Sequence, residues 1–108
     1  MRPFEVPQAP ALPRQSGQSF ASLVELMQRL LAPDGCPWDR EQNERSLRRY
    51  VLEEACEVID AIDHGDDESL CEELGDLSLQ VAFLAELGRR RGAFGPDDVM
   101  TAICDKLV

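Results

Sequence analysis

The sequence predicts an all-α domain. Three observations carry that prediction. Apolar residues recur at the three- and four-residue spacing of a helix in four stretches, no stretch reads as a strand, and Pro and Gly gather between the stretches. At 108 residues the chain forms one domain at most, with a modest core and little surplus stability.

The elements follow in order. Residues 1–18 hold four of the seven prolines and no periodicity, and read as a disordered N-terminal arm. The domain then occupies residues 19–108. Phe20, Leu23, Val24, Met27, Leu30 and Leu31 make a first helical stripe, with Ser19 or Ser22 as its cap. Pro33, Gly35 and Pro37 break it in "APDGCPWDREQ", which reads as a loop. A second helix is expected from about Ser46 to Asp63, ended by His64 and by Gly65 in the left-handed terminal position. A third begins at "DDES", where acidic side chains meet the positive end of the helix dipole, and runs to about Arg91 with "RRR" at its negative end. Gly92 and Gly95 punctuate, and Pro96 opens a fourth amphipathic helix, "DDVMTAICDKLV". Helices two and three are expected to pair as a central antiparallel hairpin within a four-helix core.

Charge narrows the function. The net charge of −10 argues against a nucleic-acid backbone or an anionic membrane surface as partner. No apolar run approaches the roughly 20 residues that span a bilayer, and no secretory leader pattern opens the chain. The four cysteines show no Cys-x-x-Cys pair and no zinc spacing with His64, the single histidine. They read as reduced structural thiols of a cytoplasmic protein.

The acidic residues are not spread evenly. Eleven lie between Glu53 and Asp76, with no Lys or Arg among them. At about 100° per residue, the second helix builds an apolar face from Leu47, Val51, Leu52, Ala55, Val58, Ile59 and Ile62. Glu54 and Glu57, three apart, share one border of that face. On the third helix, Leu70, Leu74, Leu77, Val81 and Leu84 make the main apolar stripe, and Leu79, Phe83 and Leu87 a second. Glu73 and Asp76 fall between the stripes, level with Gln80, while Glu72 and Glu86 fall on a wet side. Carboxylates set among leucines are costly without compensation. A hairpin turning at Gly65 brings the two pairs opposite each other, and four convergent oxygens suit Mg²⁺ or Mn²⁺. Charged residues on solvated helix faces are the plain alternative.

The residues "LEEACEVIDAI" and "EELGDLSLQVAF", joined in order with "GCPWDREQ" upstream and "DDVMTAICDKL" downstream, resemble the MazG-type nucleotide pyrophosphohydrolases of the all-α NTP pyrophosphatase superfamily. The resemblance covers about Phe20 to Val108. Its signature, EExxE then ExxD, falls on Glu53, Glu54 and Glu57, then on Glu73 and Asp76. It implies Mg²⁺-dependent hydrolysis of a nucleoside triphosphate between the α and β phosphates, giving a monophosphate and pyrophosphate. Glu54, Glu57, Glu73 and Asp76 are then the metal ligands, and Glu53 assists catalysis at a second metal or by orienting water. A dimer or dimer of dimers is also implied, and the two-sided apolar pattern of the third helix independently asks for a covering partner. A related all-α pyrophosphohydrolase acting on phosphoribosyl-ATP or deoxyuridine nucleotides is the alternative within the enzyme class, and a non-catalytic metal- or partner-binding helical module is the alternative outside it.

Some residues depart from the family or stay open. Asn43 and Glu44 stand where the family often has Thr-His, and the sequence ends at Val108, ahead of a basic segment common in the family. Lys106, the only lysine, matches a family lysine and is a candidate phosphate contact beside the reading as a surface lysine. Trp38 reads from the sequence as a hydrophobic plug over helix ends, and from the resemblance as a wall of the nucleotide pocket. Arg45, Arg48 and Arg49 are expected to pair with the acidic surplus, and His64 to cap its helix.

Overall fold

A computed structural model describes residues 18–108; the N-terminal arm expected over residues 1–18 lies almost entirely outside them. The described residues form five helices and no strand: α1 (Phe20–Leu30), α2 (Pro37–Arg40), α3 (Glu44–His64), α4 (Asp67–Arg90) and α5 (Pro96–Leu107). No helix among them is long and apolar enough to cross a membrane.

Helix α2 corrects the sequence reading, which took this stretch as a loop. Pro37 at its first position carries no amide hydrogen to lose, and its fixed φ starts a turn. Helix α3 starts two residues before the expected Ser46. Asn43 caps it: its side chain accepts from the Ser46 amide at 2.8 Å, while the Asn43 amide donates to Ser46 Oγ at 2.9 Å. Asn43 is thus an effective capping residue at this position.

Two residues join α3 to α4. Gly65 adopts φ 67°, the left-handed conformation expected of it. Its amide donates to the Ile62 carbonyl at 3.1 Å, and that of Asp66 to the Ala61 carbonyl at 3.3 Å. Asp66 then caps α4 by accepting from the amides of Glu68 and Ser69. The two long helices touch along much of their length, with residues meeting in reverse order. Ala61 and Ser69 border one cavity near the turn, Tyr50 and Gln80 another further away, and Glu44 reaches Arg91 at the far end, 2.6 Å from carboxylate to guanidinium.

The core lies between α1, α3 and α4: Met27, Leu31, Leu47, Ala82 and Phe83 are buried together, with Leu79, Leu84 and Leu87 packed against them. This reverses the expected order of the stripes on α4. The second stripe, around Phe83, carries the core because α1 lies on it, whereas Leu74 and Val81 of the nominal main stripe are 47% and 37% exposed. On α3 only part of the predicted face is covered. Leu47 is buried, but Leu52, Ile59 and Ile62 are more than half exposed. Cys56 and Cys104 are likewise exposed rather than buried; all four cysteines are free thiols.

The largest correction is Glu86. Assigned to the wet side of its helix, it is fully buried. It carries its own compensation: Arg89, one turn on, donates from Nε at 2.9 Å and from Nη2, and Arg90 Nε approaches at 3.4 Å. These hydrogen bonds hold the Glu86 carboxyl below the usual range despite its burial. The "RRR" run therefore does more than complement a helix dipole, since Arg91 also spans to Glu44.

Candidate metal centre

Contact between α3 and α4 delivers carboxylates to one place. Oxygens of Glu54, Glu73 and Asp76 lie within 4.8 Å of one another. Each is positioned by its helix register: Glu73 and Asp76 are one turn apart on α4, and Glu54 faces them from α3. Glu54 and Glu73 are half-buried and Asp76 is exposed, so the cluster opens to solvent on the Asp76 side.

Nothing cationic among the described residues neutralises it. Glu54 Oε2 is buried without a hydrogen-bond partner. Burial, then repulsion from Asp76, Glu57 and Glu53, pushes the Glu54 carboxyl up. Burial and the charges of Asp76, Glu57 and Glu54 do the same to Glu73. Each cause disfavours the ionised form, so the juxtaposed carboxylates are a local destabilisation that protons or a cation would relieve. An orphaned buried carboxylate oxygen within reach of two further carboxylates fits a hard divalent cation, which takes oxygen donors alone.

The other predicted residues divide. Glu57 is outside the three-residue group but close enough to repel Glu54 and Glu73. With Glu73, Asp60, His64 and Asp66 it borders a cavity of about 250 Å³ on the turn side of the cluster. Glu53 is exposed, and its carboxylate stands 3.6 Å from Arg49 Nε, the pairing expected of that arginine. His64 engages the Asp60 backbone carbonyl through Nδ1 at 2.7 Å, a contact at the end of its helix.

Trp38 is half exposed on α2 and meets Tyr50 edge to face, with ring centroids 5.7 Å apart. Both border a cavity of about 150 Å³ on the other side of the cluster. Lys106 lies exposed on α5 and borders neither cavity. Sequence reasoning missed what stands in the second cavity: Gln80, whose Oε1 is buried without a partner, and Asp39. The signal was available in Gln80, since it lies four residues after Asp76 and so on the same face.

Residues 42–108 match the model of the MazG nucleotide pyrophosphohydrolase domain. The chain is 45% identical over 95 residues to a nucleoside triphosphate pyrophosphohydrolase/pyrophosphatase MazG of Thermotoga maritima, covering 88% of this chain and 37% of that protein. It is 48% identical over 86 residues to a nucleoside triphosphate pyrophosphohydrolase of Escherichia coli, covering 79% and 33% respectively. A Mycobacterium tuberculosis protein with the same description is 41% identical over 95 residues, with coverages of 86% and 29%. The chain thus spans about a third of the length of these relatives.

Proposed function

The chain belongs to the MazG nucleotide pyrophosphohydrolase family, and from that premise we propose that it hydrolyses nucleoside or deoxynucleoside triphosphates between the α and β phosphates, releasing a monophosphate and pyrophosphate. The observation that carries the proposal is the convergence of Glu54, Glu73 and Asp76 with an unpartnered oxygen on Glu54. Glu54, Glu57, Glu73 and Asp76 would hold Mg²⁺, with Mn²⁺ as a substitute. Bound there, the cation would neutralise triphosphate charge and make a coordinated water more acidic. Glu57, already bordering the cavity beside Glu73, would complete the ligand set by a rotamer change.

Glu53 would orient the attacking water or take its proton. To do so it must leave Arg49, a rearrangement that costs little because both side chains are more than half exposed. Trp38 would form a wall for the nucleoside, and Lys106 would contact phosphate. The working unit would be the antiparallel α3–α4 hairpin paired with a second copy as a dimer or dimer of dimers. Leu52, Ile59 and Ile62 on α3 and Leu74 on α4 support that reading, because each is an apolar side chain left about half exposed or more in the single chain. The protein would act in the cytoplasm on the free nucleotide pool.

The test is incubation with a panel of triphosphates and Mg²⁺, with monophosphate, pyrophosphate and inorganic phosphate measured separately. Equal amounts of monophosphate and pyrophosphate are expected, lost in Glu54→Gln and Asp76→Asn. Diphosphate with inorganic phosphate would sink the proposed bond. Metal binding without turnover of any nucleotide would leave only the binding module.

A further inference from the structure

Resting on the nucleotide reading above, we propose that the cavity bordered by Trp38, Asp39, Tyr50 and Gln80 is a base subsite that selects a single-ring base bearing an exocyclic amine, with Gln80 as its specificity-determining residue. Three observations support it. The first is size. The cavity measures about 150 Å³, a volume known in another protein to accommodate a benzene ring. Its floor is apolar, from Met27, Leu47 and Phe83, and its rim carries the Trp38 and Tyr50 rings, which supply faces for a planar base.

The second is polarity. Gln80 Oε1 is buried and accepts no hydrogen bond from the described protein. An unpaired buried acceptor costs about 1–3 kcal/mol, a penalty that an arriving N–H donor removes. The Asp39 carboxylate borders the same cavity and is acceptor-only. Two acceptors lining one cavity favour an amine, which brings two hydrogens, over the corresponding uracil edge, which brings the single ring N–H beside a carbonyl. Cytosine carries that amine where uracil carries a carbonyl.

The third is placement. Tyr50 is one helical turn before Glu54, and Gln80 one turn after Asp76, on helices that meet in reverse order. The cavity therefore begins about 6 Å along the hairpin from the carboxylates. A nucleotide whose phosphates lie at the carboxylates would have its base extend toward this cavity.

Trp38 is the only tryptophan, so its fluorescence reports entry into the cavity without any need for turnover. The experiment titrates α,β-methylene analogues of cytidine and uridine triphosphate in the presence of Mg²⁺, in the wild type and in Gln80→Met. The expected result is a change in Trp38 emission on binding, a preference for the cytidine analogue of about tenfold or more, and collapse of that preference in Gln80→Met. Gln80→Glu keeps the acceptor and should keep the preference. Nucleotide binding measured by calorimetry without change in Trp38 emission would overturn the inference. So would equal wild-type affinities, which decide the matter even where Gln80→Met fails to fold, or a preference that survives Gln80→Met. Selective binding by a protein that hydrolyses no triphosphate would support the subsite and overturn the hydrolase reading; turnover with no base preference would do the reverse.

Discussion

Replacing Arg89 by methionine should destabilise the protein more than replacing its partner Glu86 by methionine. Glu86 is fully buried and Arg89 half exposed, so the two changes leave different groups stranded. In Arg89→Met the buried carboxylate loses two charge-assisted hydrogen bonds and keeps the weaker approach of Arg90 and a contact from the Gln28 side chain. Breaking a buried pair from the cation side costs about 3–5 kcal/mol. Arg90 remains and the site is open at its rim, so about 2–3 kcal/mol is expected here, within the range for losing hydrogen bonds to a charged group. For a domain of this size that lowers Tm by about 10–20 °C. In Glu86→Met both guanidinium groups turn to water and an apolar side chain fills a buried position, which should cost about 1 kcal/mol or less. The double variant should therefore be more stable than Arg89→Met alone.

The pH dependence supplies a second signature. In the wild type the folded Glu86 pKa lies below its unfolded value. Its contribution is complete above the unfolded value near 4.3 and fades as pH falls through the folded one. Without Arg89, burial acts with less opposition, so the gap between wild type and Arg89→Met should narrow as the solution is acidified. Thermal melts of the three variants and the wild type between pH 4 and 8 measure all of this. If Glu86→Met is the more damaging change, or the gap widens toward acid, the account of Glu86 as a buried charge held by Arg89 is wrong.

Other outcomes follow from the same structure. Mg²⁺ should raise the wild-type Tm by binding the native state, a stabilisation of about 2.7 kcal/mol at a hundred times Kd, and the response should vanish in Glu73→Gln; calorimetry checks both. With metal removed, stability should rise as pH falls through the raised Glu54 and Glu73 values and level off below the ordinary carboxylate range, because the native state takes up protons first. A metal-free melting curve flat over that window would contradict the repulsion described at the cluster. Gly35→Ala should be strongly destabilising in urea titrations, since its Cβ would stand 2.2 Å from the Leu30 carbonyl oxygen, a backbone atom that cannot rotate away. Gly75→Ala, with no atom within 4 Å of the new Cβ, should instead stabilise the helix by about 1 kcal/mol. A loss at Gly75 would indicate another chain seated against it.

Helix type and the acidic motif were readable along the chain because both are local. Periodicity, the Gly65 turn and the Asp66 cap depend on a few neighbouring residues, and the i, i+3 spacing of Glu73 and Asp76 puts them on one face in any helix. Once α3 and α4 pair through a two-residue turn, helical rise alone brings Glu54 to Glu73 and Asp76. The choice among faces was different. Angular position ranks stripes by composition, but which stripe becomes core depends on where α1 lies. That contact buried Phe83 and Ala82 and left Leu74 and Val81 in part exposed. Glu86 went the same way: its register reads as wet until tertiary packing buries it, although its partners Arg89 and Arg90 stand within reach by helical spacing alone. The orphaned oxygens of Glu54 and Gln80 are likewise products of packing, because burial of one atom is decided by neighbours distant in sequence. Local spacing named the carboxylates; tertiary contact decided which atoms lost their water.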